Sequence, residues 1–240
     1  MLSAGAFTTL FEYPNSPFRL AIDDENLRRT FIGLAMGLTA VALMYSPWGM
    51  RSGAHMNPAV TLTFLRLGKV ARWDAVFYIL AQFVGGTLGV LLLMALLNAP
   101  FTAPPVNYVV TVPGSDGVAP AFIAEFFISA VLMWVVLRVS NSQRYANLTG
   151  ICAGALVALY IAIEAPLSGM SMNPARSFAS AWPAGEWMDF WIYLTAPVFG
   201  MQCAGELYVF RRSHRSVACA KLLHPAHIRC IHCGHEPART

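Results

Sequence analysis

The chain predicts an all-α membrane protein, a bundle of six spans with the first one shortened and two re-entrant half-helices, organised as an inverted repeat. Three observations predict it. The 240 residues are 57 % hydrophobic and only 12 % charged, against about 25 % charged in a soluble domain. The apolar residues are gathered into long runs. A nine-residue stretch, Ser52-Gly53-Ala54-His55-Met56-Asn57-Pro58-Ala59-Val60, returns 116 positions later as Ser168-Gly169-Met170-Ser171-Met172-Asn173-Pro174-Ala175-Arg176, with six identities. A repeat joining two halves of a membrane protein implies a pseudo-twofold axis, with the pathway where the halves meet.

The elements follow in order. Met1 to about Tyr13 is apolar but too short to span, and it lacks the basic leader and cleavage site of a signal peptide. The second copy of the repeat follows two spans, so by symmetry the first copy should too. Residues 1–13 therefore read as the outer end of a first span whose beginning lies upstream, in a longer reading frame or lost by truncation. Thr30 to Met50 carries no charge, nor does Ala75 to Ser115, which holds one span and part of a loop. Val118 to Leu137 is broken only by Glu125, Tyr145 to Ile163 is uncharged, and Phe190 to Phe210 is broken only by Glu206. Each of these five runs is near the roughly 20 residues a spanning helix needs. The expected division is a membrane domain over 1–210, with halves of about 1–117 and 118–210, and a polar tail over 211–240. Glycine pairs at Gly33/Gly37, Gly85/Gly89 and Gly150/Gly154, with Gly200 and Gly205 close together, mark faces where helices approach closely.

The net charge of +4 does not suggest nucleic acid, because the basic residues are scattered between spans. Twelve of the sixteen Lys and Arg (Arg51, Arg66, Lys69, Arg72, Arg138, Arg144, Arg211, Arg212, Arg215, Lys221, Arg229 and Arg239) fall in segments that the positive-inside rule places in the cytoplasm, the C-terminus included. The segment from Asn98 to Gly117 has no Lys or Arg and faces outward.

Asparagine is a good N-cap and proline suits the first helical position. Asn57-Pro58-Ala59 and Asn173-Pro174-Ala175 therefore start helices, and the apolar residues behind each give too few turns to cross. Each copy is expected to be a half-helix entering from one face. Non-helical backbone at that depth is tolerated only where it lines a cavity or is buried in protein. Two helix N-termini would meet near the midplane, each carrying roughly half a positive charge. The Asn57 and Asn173 amides could then bond the oxygen of water or a polyol, while a cation or relayed proton is repelled.

A single Asn-Pro-Ala is an ordinary turn. Two copies, each after Ser-Gly and beside a long span, resemble the major intrinsic protein family, the aquaporins and glycerol facilitators, over about residues 1–210. The resemblance implies six spans, two half-helices, one pore per subunit and a homotetramer in a lipid bilayer, here expected in a bacterial inner (plasma) membrane. It assigns Arg176 to an outer constriction, where it is expected to face water and be held by backbone carbonyls. Carried over by register, the other constriction positions are Met36, Ile161 and Met170. The aromatic and His of typical water channels are not at these positions, nor is the aromatic wedge of glycerol facilitators, whereas Ser177 after the Arg is as in water channels. Glu125 reads as a structural carboxylate bonded to the backbone of a re-entrant loop, or as a group for proton chemistry; the resemblance implies such a Glu in the fourth span, with a first-span partner upstream of Met1. Glu164 reads as a solvated helix end or as an attractor at the mouth. His55 reads as a hydrogen-bonded structural residue or a pH gate.

Cys152 and Cys203 lie within spans as small packing residues. The tail holds Cys230-Ile231-His232-Cys233 with further Cys and His nearby. Tetrahedral zinc could use Cys219, His224, Cys230 and Cys233, or the tail's Cys and His could be accidental. No other cofactor is expected. The spans hold no nucleophile–base pair or phosphate loop, which excludes an enzyme. The expected function is a passive channel for water or small uncharged solutes such as glycerol, closed to ions and protons. A secondary transporter and a non-conducting scaffold are the rival readings.

Overall fold

The computed structural model describes residues 1–213, 216–225 and 227–236, so Arg215 and Arg239 of the expected cytoplasmic set lie outside the described residues. The described residues form no strands. Eight helices carry the architecture: α1 (Leu2–Glu12), α2 (Glu25–Tyr45), α3 (Pro58–Arg66), α4 (Arg72–Leu97), α5 (Val118–Ser140), α6 (Thr149–Ile163), α7 (Pro174–Ala184) and α8 (Phe190–Arg212). The first four and last four correspond pairwise. Helix α2, α4, α5 and the segment Ala146–Ile163 that contains α6 are each long and apolar enough to cross a membrane. Helix α8 matches them in length at 23 residues, but Gln202 and Glu206 dilute its apolar character. Glu206 is answered at its end by Arg66 of α3, 2.5 Å away. At 11 residues, α1 is about 16 Å long, half a hydrocarbon core.

Packing follows the repeat. Helix α2 lies along α6 and α5 along α8, while each short helix rests on the last helix of the opposite half, α3 on α8 and α7 on α4. The outer faces are apolar: Phe77, Leu80, Val84 and Leu88 form an exposed stripe down α4. In water such a stripe would be an association surface; in a bilayer it meets acyl chains. The α2–α6 crossing is set by glycine. A Cβ on Gly37 would come within 2.5 Å of the Gly154 carbonyl oxygen, and one on Gly154 within 2.6 Å of that of Gly37. On α4 one of the two expected glycines makes the contact and the other does not. Gly85 faces open space, whereas Gly86 meets Ala179 and Gly89 meets Met1. Gly154→Leu is expected to cost about 1–3 kcal/mol of overpacking and lower the thermal midpoint in detergent by about 4–10 °C. Gly85→Leu is the matched control, and an equal drop in both would count against this packing.

Arg28 ties α1 to α2. It is almost fully buried, pairs with Glu12 at 3.1 Å, and donates to the carbonyls of Ile22 and Asp23. The tail is not the polar appendage that its charges suggest. Val217, Cys219, Ala220, Lys221, Leu222, Leu223 and Cys230 are buried. Val217, Ala220 and Leu222 belong to the same apolar cluster as Met44, Ala59 and Phe64.

Candidate functional site

Asn57 and Asn173 have the extended backbone of N-cap residues and are followed by proline at the first helical position. The Asn57 Oδ1 accepts from the N–H of Ala59 at 2.9 Å. That of Asn173 accepts from Ala175 at 3.1 Å and Arg176 at 3.2 Å. The amide nitrogens reach across the repeat. Asn57 Nδ2 donates to the Met172 carbonyl at 2.6 Å, and Asn173 Nδ2 donates to the Met56 carbonyl at 2.8 Å. Each asparagine thus caps its own helix and bonds the residue preceding the other. An amide carries two N–H groups, so each has a second donor. Pro58, Ala59, Pro174 and Ala175 are buried behind them.

The loops leading to the two asparagines begin alike. Gly53 and Gly169 have φ of 85° and 81°, and the next residues, Ala54 and Met170, hold φ of 59° and 49°. Left-handed backbone is cheap for glycine but costs other residues about 1–3 kcal/mol each, and it persists only where surroundings enforce it. In the second half the enforcement comes from Glu125, which is fully buried. Its Oε1 accepts from Ser168 Oγ at 2.8 Å and Ser171 N at 2.6 Å, and its Oε2 accepts from Met172 N at 2.7 Å. In the first half the enforcing groups are different. Gln82 Nε2 donates to the His55 carbonyl at 2.6 Å, the Gly53 carbonyl accepts from Leu222 N at 3.2 Å, and His55 Nε2 lies 2.8 Å from the Ala220 carbonyl. His55 also has Thr61 Oγ1 at 3.3 Å from Nδ1 and stacks on Phe64.

Arg176 sits in the first turn of α7. The expectation that backbone carbonyls hold its guanidinium is not met at Nη1, which is buried without a hydrogen-bond partner. One loop carbonyl, that of Met172, is already taken by Asn57. Met170 is buried, and Ile161 packs on the cluster that contains it. Met36 lies on α2 one turn beyond Gly33, the residue whose Cβ would come within 3.4 Å of Ile161. Glu164 is not a solvated helix end: both carboxylate oxygens are buried.

The tail brings its four expected residues together. The ligand atoms of Cys219, His224, Cys230 and Cys233 all lie within 4.8 Å of one another. Cys219 and Cys230 sulfurs are 3.4 Å apart, and His224 Nε2 is 3.2 Å from Cys233 Sγ. Burial pushes the Cys219 thiol up to about 12. Cys230 is held below the usual thiol value because, against burial, the backbone N–H groups of Cys233 and His232 donate to its sulfur. Burial also lowers the His224 imidazole.

Several supporting residues escaped sequence reading. Tyr78 and Tyr193 donate to the carbonyls of Ser52 and Ser168, at 2.5 and 2.6 Å. Their spacing in sequence falls one short of the repeat, a signal that was there to be found. Gln82 and the seat of the tail on the 53–55 loop leave no such trace.

The model of the major intrinsic protein family matches residues 8–208. "Probable aquaporin NIP4-2" of Arabidopsis thaliana is 36 % identical over 186 residues, covering 76 % of this chain and 64 % of that protein. "Aquaporin NIP1-2" of Oryza sativa subsp. japonica is 37 % identical over 185 residues, covering 75 % and 60 %. The chain thus spans less than two thirds of the length of these relatives. The solved aquaglyceroporin of Plasmodium falciparum shares the fold at a TM-score of 0.68 and 19 % identity, covering 86 % of this chain and 89 % of that one. The plant relatives lend no support to a bacterial plasma membrane.

Proposed function

Because the chain belongs to the major intrinsic protein family, we propose that it is a passive transmembrane channel for water and small uncharged solutes such as glycerol, excluding ions and protons. The observation that carries this reading is the reciprocal pairing of Asn57 and Asn173, which brings two half-helix N-termini together and leaves each amide a further N–H for a passing oxygen. A neutral oxygen-bearing solute gains bonds there; a cation meets two positive helix ends. Arg176, with Met36, Ile161 and Met170, forms the outer constriction. Three apolar sides and one cation offer few replacements for hydration. Nothing is catalysed and no cofactor takes part in permeation.

Stopped-flow swelling of proteoliposomes under water and then glycerol gradients tests this. Flux above empty liposomes without a sodium or proton gradient is expected. Flux that requires such a gradient would mean a secondary transporter, and none, from the untreated and the zinc-depleted protein alike, would mean a scaffold. Arg176→Ala provides a sharper test. At an effective dielectric of about 20, a unit charge 4 Å away costs a cation about 4 kcal/mol. Its removal is expected to raise cation leak at least about tenfold, measured with an ion-sensitive dye. An unchanged leak would remove Arg176 from the constriction.

By the same membership we propose a homotetramer in the bilayer, with its tail in the cytoplasm. We assign the tail quartet a structural zinc ion. Zinc bonds of about 2.0–2.3 Å in a tetrahedron set ligand atoms roughly 3.3–3.8 Å apart; two of the pairs are at 3.2 and 3.4 Å and all four atoms lie within 4.8 Å of one another.

A further inference from the structure

The tail crosses one end of the bundle, from the second half to the first. Ala218 N donates to Asn141 Oδ1, just beyond α5, at 2.7 Å. Four residues on, Leu222 N donates to the Gly53 carbonyl, and the Ala220 carbonyl lies on His55. This is the end from which the 53–56 loop descends to Asn57. His55 is only 5 % exposed. His232 also packs on the first half, its ring 6.0 Å from those of His55 and Tyr78. A Cβ on Gly53 would meet Lys221 at 3.2 Å and His232 at 3.6 Å, so the loop is bare where the tail sits.

What holds this segment in shape is the quartet. Cys219 is next to Ala220, the residue on His55, and Cys230 and Cys233 flank His232. Between them, Lys221 Nζ donates to the Arg229 carbonyl at 3.1 Å. The peptide N–H of Lys221 points at the sulfur of Cys219 at 3.4 Å. Val217, Ala220 and Leu222 lean on the bundle, but a segment this short has too little core of its own to fix the 224–233 arm, and a bound metal supplies folding free energy in such cases. The two arms meet the bundle through residues adjacent to ligands, so order at the quartet and seating on the loop are coupled.

We propose that the zinc-bound tail is a cap that closes the cytoplasmic mouth, and that loss of the metal opens it. This rests on the channel and zinc readings above. The test uses the full chain in proteoliposomes, with metal content measured by elemental analysis and water flux measured before and after a membrane-permeant zinc chelator. The expected result is one zinc per chain and flux that rises about tenfold on chelation. Cys230→Ser/Cys233→Ser is expected to bind no zinc and to stay open with or without it. His232→Ala leaves the four ligands in place, so it is expected to keep its zinc yet leak. Zinc bound with flux unchanged or reduced on chelation would overturn the cap while leaving the metal site standing. Absence of zinc, or a Cys219–Cys230 disulfide in its stead, would overturn metal control. No flux from any form, chelated or mutated, would overturn the channel reading and the cap with it.

Discussion

Glu125→Gln is expected to reduce solute flux at least about tenfold while leaving the protein in the membrane. An ionised carboxylate only accepts, and three donors converge on this one. Glutamine must turn an NH2 toward one of them. One charge-assisted bond, about 1.5–3 kcal/mol, is lost and a buried donor is left unsatisfied at a further 1–3 kcal/mol. The same bonds hold Met170 and Met172 at φ of 49° and 53°, so the loop relaxes when they fail and Asn173 moves with it. Ser168→Ala removes one bond of the three and is expected to do less. Stopped-flow rates for both variants, normalised to protein content, decide the matter. Full flux in Glu125→Gln would show that the loop needs no such brace.

The second large effect is expected at Asn173. Asn173→Ala removes two capping bonds and the bond to Met56, a loss of about 2–4 kcal/mol. Asn57→Ala removes one cap and the bond to Met172, and is expected to be the milder of the two. Asn173→Asp separates architecture from electrostatics. The carboxylate still caps, but it sets a negative charge at a helix N-terminus and turns an acceptor toward a carbonyl. Cation current in planar bilayers is expected to appear in this variant and not in the alanine one. A silent Asn173→Asp would argue against charge exclusion at the centre.

Much of this was legible because the repeat carries its own control. An Asn-Pro-Ala means little once; twice, beside matched apolar runs, it placed both short helices, their caps and the helix order. Glu125 stood out as a carboxylate in an otherwise apolar run. What stayed hidden depends on backbone atoms. No side-chain pattern announces that the Met172 carbonyl accepts Asn57 rather than serving Arg176, or that Ala220 and Leu222 reach the 53–55 loop through their main chain. Glu164 differs from the solvated helix end that its position suggests: a carboxylate there normally reaches water, and here both of its oxygens are buried. On α4, Gly89 was placed correctly but Gly86 takes the contact expected of its neighbour Gly85, and only the position of α7 selects between them.

The crossed amide bonds have a mechanical corollary. Carriers that work by alternating access need one half to rock against the other about the binding site. Here each half grips the backbone of its twin at that very point, so rocking would rupture both clasps at once inside the membrane. A scaffold fastened across its own hinge suits a conduit that stands still while its cargo moves.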